Sequence, residues 1–302
     1  MPALYTHYKF GHDVLNSLNP LHKEQINNNI RFYNIWNQGW DNLYYHFNTK
    51  FYKELGKKAH KKNVNTFFKE LISYIKNHKL EHNSEITTIL YGFINHYVLD
   101  TIMHPYINYL VKKINISHTK IEYIIDNMLY KNNYSIIFKP VFFKTLIPKI
   151  KFKNSINDCL NKIFEKTYNV ENIGNVINIS HNNSYYLYKY FLYDRYGIKT
   201  FIYKIIDIIT PFKTNKIHKN IYSIKDYNIY ILNNDNYNWN HPKNNNESYN
   251  YSFSQLYDYS LKIAVEINDC AFNVLNNNND INEFLNLISI IDIKNIQAIL
   301  QK

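Results

Sequence analysis

Apolar side chains recur at three- and four-residue intervals along most of this chain, as in Phe67, Phe68, Leu71, Ile72 and Ile75, and again from Leu256 and Leu261 through Ile263, Val265 and Ile267. That spacing lines one face of an α-helix. It predicts helices near residues 8–18, 21–37, 41–54, 57–78, 85–104 and 118–131, with more after residue 138, a long one from about Ser254 to Leu275 and a shorter one closing the chain. Pro105 is expected to end or kink the helix that precedes it. Asn-rich stretches near 172–184 and 233–250 read as loops, because Asn competes for backbone hydrogen bonds and tolerates turn conformations. No fixed-period repeat and no composition shift divides the 302 residues, and glycine and proline are scarce. The expectation is an all-α, single-domain multi-helix bundle over residues 1–302.

Composition changes this picture little. The formal charge of +11 favours an anionic partner, yet Arg31 and Arg195 are the only arginines, and nucleic-acid sites commonly use guanidinium forks. The excess of Lys, Asn, Ile and Tyr together has the look of codon bias in an AT-rich genome, which makes the charge weak testimony. Cys159 and Cys270 have no metal-type spacing and cannot staple so large a domain. The start, Met1 to His7, lacks the basic and apolar regions of a signal peptide, and no run reaches membrane-spanning length, so a cytoplasmic protein is expected. From Ser135 to Phe152, lysines interleave with Ile, Phe and Leu. This stretch is a candidate for peripheral membrane contact, although an ordinary amphipathic helix, broken by Pro140 and Pro148, is the plainer reading.

The informative chemistry lies in His96-Tyr-Val-Leu-Asp100-Thr-Ile-Met-His104 and in His118-Thr-Lys-Ile-Glu122. On a helix, residues four apart share a face, so His96 with Asp100, Asp100 with His104, and His118 with Glu122 can each grip one ion. His96 and His104 stand about 12 Å apart along the axis, which favours two ions with Asp100 between them. A lone His in an apolar helix is usually a hydrogen-bonded core residue, and the joint pattern is what argues for metal. Glu122 also fits a capping box with Thr119. If Thr119 caps the helix, His118 lies outside it; if Ser117 does, His118 and Glu122 share a face.

Upstream, Gln38-Gly39-Trp40-Asp41 places a carboxylate just past a glycine, and Leu55-Gly56-Lys-Lys-Ala-His60 follows. The ordered set His7, Asp41, His60, His96, Asp100, His104, His118, Glu122 resembles the zinc-dependent phospholipase C family and, more distantly, the single-strand-specific zinc nucleases of the same fold. The opening Pro2-Ala-Leu-Tyr-Thr-His7-Tyr-Lys-Phe-Gly11 and the stretch Tyr91 to Asp100 are similar to the branch often labelled phospholipase C-like. The likeness covers roughly the first 130 residues, with a weaker echo at Trp239 to Pro242 and from Ser252-Phe253 to Ala264.

The resemblance implies that Asp41, His60, His96 and Asp100 hold one Zn2+, that His104, His118 and Glu122 hold a second, and that Asp100 bridges to a third site containing His7. It also implies a catalytic role for Asp41, orienting the water that attacks a phosphodiester. Two departures stand out. Asp100 and His104 are four apart where the well-studied members have six, and the amino-terminal tryptophan that completes the third site of secreted members is replaced by Met1-Pro2-Ala3. The expected function is a phosphate-ester hydrolase with two or three zinc ions, acting on a phospholipid or another phosphodiester. A single-strand nuclease and a non-catalytic, metal-stabilised interaction protein remain as competing readings. His46, His12, His241 and Asp126 are read as structural or solvated, with a supporting role open to His46 and Asp126. Trp239, Tyr44 and Tyr45 are candidates for contact with a substrate headgroup.

Overall fold

The computed structural model describes residues 4–47, 49–134, 145–191, 198–211, 229–277 and 279–291. It is mostly helical. In chain order the helices are α1 (Leu4–Ser17), α2 (Pro20–Asn27), α3 (Ile30–Trp36), a 3-10 turn (Gly39–Tyr45), α4 (Lys50–Ala59), α5 (Val64–Asn77), α6 (Ser84–Ile114) and α7 (His118–Tyr134). They continue as α8 (Asn154–Tyr168), α9 (Ile173–Phe191), α10 (Ile198–Ile209), a short 3-10 turn (Ile229–Leu232), α11 (Phe253–Asn276) and α12 (Ile281–Ser289). An antiparallel hairpin of β1 (Trp239–His241) and β2 (Asn244–Tyr249) precedes α11.

Helix α6 is the axis of the bundle. It packs against α1, α3, α7 and α11, and Ile89, Leu90, Phe93, Ile94, Val98 and Ile102 along it are fully or almost fully buried. Its start is fixed by the Asn83 side chain, which accepts from the amides of Glu85 and Ile86, and its end by Asn115 in the left-handed region at φ 54. Pro105 neither ends it nor breaks it, since the helix runs on to Ile114. The turns beyond the proline are held from outside: Tyr106, Ile107 and Leu110 are buried, and the Tyr106 hydroxyl donates to the Ile231 carbonyl at 2.7 Å. Tertiary packing there outweighs the one hydrogen bond that proline removes.

The two Asn-rich stretches part company. Within 233–250, residues 233–238 are turn and irregular chain as expected, while 239–249 form the hairpin, pinned by buried Trp239 against Tyr106, Tyr109 and Tyr249. The stretch expected as a loop at 172–184 is instead most of α9. Its asparagines serve the helix: Asn178 donates to the Ile150 carbonyl at 2.9 Å and Asn182 to Asn178 at 2.9 Å, while Ile173, Ile177, Ser180 and His181 are buried. In the segment offered for peripheral membrane contact, residues 135–144 lie outside the described residues, and the remainder packs inward through Leu146, Ile147 and Phe152. Among the described residues no helix is long and apolar enough to cross a membrane. Cys159 and Cys270 are buried free thiols.

A buried polar relay ties the bundle together beside the His96 position. The Asn95 amide donates to the Tyr33 hydroxyl at 2.7 Å and to Asn37 Oδ1 at 2.9 Å, Asn268 Nδ2 donates to Asn95 Oδ1 at 2.9 Å, and the Tyr33 hydroxyl donates to the Gly11 carbonyl at 2.7 Å. The Asn95 side chain joins three helices, α3, α6 and α11, and Tyr33 extends the relay to α1. Replacing Asn95 takes one hydrogen bond from each of three buried partners. Asn95→Ala is expected to destabilise the fold by about 3 kcal/mol, whereas Asn246→Ala at an exposed position of the hairpin is expected to change it by less than about 0.5 kcal/mol, as read from urea denaturation midpoints.

Candidate metal centre

Three elements deliver the inner part of the site. The 3-10 turn brings Asp41, the C-terminal end of α4 brings His60, and α6 brings His96 and Asp100 one helical turn apart. Gly39 makes the turn possible. It sits at φ +47, and a Cβ there would lie inside the His96 ring, so only glycine combines the left-handed backbone with this approach.

Around His60 the donors converge. Its Nδ1 donates to the Gly56 carbonyl at 2.6 Å, which in the neutral ring leaves Nε2 as a bare lone pair. That lone pair faces His96 Nε2 at 3.0 Å, Asp41 Oδ1 at 3.2 Å and Asp100 Oδ2 at 3.5 Å, and His96 Nε2 is 3.5 Å from the same Asp100 oxygen. Atoms bound ~2.0–2.2 Å from one tetrahedral ion lie ~3.3–3.5 Å from each other. Lone-pair atoms at such separations repel unless a proton or a metal ion lies among them, and in the metal-free protein a proton on His60 fills that role.

The other Asp100 oxygen turns toward α1. His7 Nε2 is 3.2 Å from Asp100 Oδ1 and 3.9 Å from Asp41 Oδ2, so His7, Asp41, His96 and Asp100 also form a group compact enough for one ion. Asp100 therefore presents one oxygen to His60 and His96 and the other to His7, the posture of a bridging carboxylate.

A second group, His104, His118 and Glu122, is equally compact. His118 opens α7, and the Lys120 amide bonds Ser117 Oγ at 3.3 Å and the Ser117 carbonyl at 2.9 Å. Ser117 is thus the cap, and His118 shares a face with Glu122, its Nε2 2.9 Å from Glu122 Oε1. His104 Nδ1 is 2.9 Å from the Asp100 carbonyl, which turns Nε2 toward Glu122 Oε1 at 3.8 Å. The rings of His104 and His118 stack at 5.2 Å. Glu122 Oε2 and His7 Nδ1 are buried without a hydrogen-bond partner, an electrostatic shortfall that a bound ion would relieve.

The charges agree with this reading. Burial alone would raise the pKa of Asp41, but His96 and the hydrogen bond and charge of His60 outweigh it and hold the carboxyl below its usual range. Asp100 is pushed further down, since His104, His96 and His7 together overcome its burial. Burial also opposes the His60 cation, yet Asp41 and Asp100 lift that ring to about 9. His96 goes the other way, to about 3, because burial dominates. A metal ion arriving here displaces a proton from a site already arranged for positive charge.

Asp126, read from the sequence as solvated, is buried and caps α1. It accepts from the Tyr5 amide at 2.9 Å, the Thr6 amide at 2.8 Å and the Thr6 hydroxyl at 2.5 Å. These are orphan donors at a helix start, and the residue that follows them is His7. Burial, only partly offset by the three donors, holds its carboxyl up at about 6. Sequence spacing could not show this, because the capping group lies 120 residues from its helix. Of the other singled-out residues, His46 packs on Tyr52, His12 pairs with Asn34, His241 belongs to β1, and Tyr45 bonds Tyr188 away from the ligands. Tyr44 stacks on His60 at 5.8 Å, facing the centre, while Trp239 belongs to the hairpin core. The amino-terminal residues 1–3 lie outside the described residues.

A small cleft of about 30 Å³ opens between the two groups. His7, Asp100, His104 and Glu122 line it together with Leu99, Met103, Ile107, Ile125 and Phe253. His104 and His118 are about one-third exposed while His96 is fully buried, so access comes from the outer group.

Gly39→Ala is expected to cost about 2–4 kcal/mol through strained backbone and displaced imidazole, and to lower tight metal uptake by elemental analysis to less than half. Gly56→Ala, where the new methyl meets only the edge of Tyr44 and Leu43, is expected to cost less on both counts.

Compared with known proteins, the chain matches no family model, no curated protein and no solved structure.

Proposed function

We propose that the chain is a zinc-dependent phosphate-ester hydrolase of the phospholipase C type, with Zn2+ held by Asp41, His60, His96 and Asp100, by His104, His118 and Glu122, and with His7 beside the bridging Asp100. The observation that carries this reading is the cleft itself, in which two groups of ion-binding side chains share one opening with an apolar wall. A purely structural metal site is closed by its ligands; here the outer group faces solvent space. The donor set of imidazoles and carboxylates suits zinc, although the same donors accept other divalent ions.

Bound zinc supplies Lewis acidity, making water a competent nucleophile near neutral pH and offsetting negative charge on the phosphoryl oxygens. The chain's own residues do the rest. Asp41, kept ionised by His60 and His96, accepts a hydrogen bond at its carboxylate and orients the attacking water toward phosphorus. Asp100 fixes the spacing between the two groups, because both its oxygens are engaged. Leu99, Met103, Ile107, Ile125 and Phe253 exclude bulk water from part of the cleft and favour an ester with an apolar substituent.

Purified protein is expected to hold at least two zinc ions per chain. Asp100→Asn is expected to remove at least one of them and to reduce turnover of a generic aryl phosphodiester by a factor of at least about 10², while His46→Ala leaves metal content unchanged and turnover within about threefold. Metal analysis and turnover of both variants decide it, and equal losses would take Asp100 out of the bridging position.

Zinc uptake should also depend on pH in a definite sense. His60 carries a proton up to about pH 9 in the metal-free protein, and that proton must leave for Nε2 to bind metal. Affinity is therefore expected to rise by about tenfold per pH unit from 6 toward 9 and then flatten, with release of about one proton near pH 7, as measured by titration calorimetry in buffers of different ionisation enthalpy.

A further inference from the structure

Helix α10 is turned inside out. Ile198, Phe201, Ile202, Ile205, Ile208 and Ile209 fall on one face across an arc of roughly 120°, and all six are exposed, Ile208 at 84% and Ile209 at 75%. The polar side is the one that meets the protein. Lys199 Nζ donates to the carbonyls of Lys189 and Tyr190 at 3.3 and 3.1 Å, and the Tyr203 hydroxyl donates to the Tyr190 carbonyl at 2.8 Å. A surface helix of a globular bundle has the opposite arrangement, so this apolar stripe awaits a partner.

Its surroundings indicate which partner. Tyr186 and Tyr190, at the adjoining end of α9, are part-exposed and stack at 6.3 Å. Lys189 lies over the Tyr190 ring and Lys149 over Tyr186, and Lys204 is exposed on the flank of the stripe. An apolar stripe edged by tyrosines and lysines matches the layered chemistry of a bilayer surface, with aromatic rings at headgroup depth and ammonium groups against lipid phosphate. A second copy of the same face would instead set lysines against lysines. Twelve residues rise about 18 Å, well short of a hydrocarbon core, so the helix lies on a membrane rather than through it.

We infer that α10 is a membrane-docking helix that rests in the headgroup layer of an anionic bilayer, with its isoleucines and Phe201 toward the acyl chains. The dock is continuous with the candidate metal centre through α9, whose Asn183 donates to the Tyr45 carbonyl at 3.0 Å on the turn that carries Asp41. It stands apart from the hydrolase reading, since docking needs neither metal nor turnover.

Flotation of the full-length protein with vesicles tests it. Vesicles of phosphatidylcholine and phosphatidylglycerol at 3:1 are expected to bind at least tenfold more tightly than phosphatidylcholine alone, with or without a metal chelator, and to release the protein in high salt. Phe201→Ser/Ile208→Ser is expected to lose at least tenfold in binding with an unchanged melting temperature, and Lys189→Glu/Lys204→Glu to lose the preference for anionic lipid. In Phe201→Trp, indole emission should shift to the blue on anionic vesicles. Failure of the wild-type protein to float, or equal binding by the serine variant, overturns the proposal. So does a dimer in sedimentation equilibrium that the serine pair dissociates, or a fall in melting temperature of that pair without lipid, because the stripe would then be covered by a second copy or by the chain itself.

Discussion

Two carboxylates held in a helical interior set the terms for everything around them. Asp41 and Asp100 are 5% and 14% exposed at their side chains, and a buried anion costs several kcal/mol unless it is paired. Among the described residues no lysine or arginine pairs with them; the compensating groups are the imidazoles of His7, His60, His96 and His104. Imidazoles are weak counter-ions, since each bears charge only when protonated and His96 is driven to about 3 by its own burial. Lifting His60 to about 9 partly balances two anions. Against its burial, Asp100 and Asp41 raise His7 as well, so in the metal-free protein the two anions are balanced by protons on imidazoles, and a pair of buried carboxylates balanced by exchangeable protons is compatible with a bound cation.

That constraint explains features of the fold that local propensity does not. Helix α6 must continue past Asp100 to carry His104, and it does so through Pro105 because Tyr106, Ile107 and Leu110 bury their side chains on the far side. The chain before Asp41 must pass so close to His96 that no side chain fits, which places Gly39 in the left-handed region. Even Asn95, next to His96, is fixed by three partners on two other segments, α3 with its C-terminal cap and α11. Each of these is a local irregularity sustained by tertiary contacts.

The sequence was legible where its signals were local. Four-residue spacing on α6 and α7 paired His96 with Asp100 and His118 with Glu122, and helix periodicity located α1, α7 and α11 within a few residues, whereas 21–37 and 41–54 each span two elements and α6 runs ten residues past the expected end at 104. Information carried by distant partners was not legible. The asparagines of 172–184 read as loop because their competing backbone bonds are visible in sequence, while the Ile150 carbonyl that occupies them is not. Asp126 read as solvated because nothing near it in the chain announces that it caps a helix 120 residues away. The choice between Ser117 and Thr119 as cap turned on one amide, that of Lys120, and geometry alone decided it.

The same distant contact suggests why the site has a dry inner half and a wet outer one. Asp126 anchors the first turn of α1 to α7, so His7 and Glu122 are placed by one joint rather than by two independent helices. Asp41 and His96 lie beneath the cleft and His7 at its inner edge, so an ion held there would be largely screened from bulk water and close to two carboxylates. His104 and His118, about one-third exposed, hold any ion they bind at the mouth of the cleft, where a ligand can replace water. Burial falls along α6 from His96 to Asp100 to His104, and on the proposed function a substrate would therefore approach from the His104 side and reach Asp100 last.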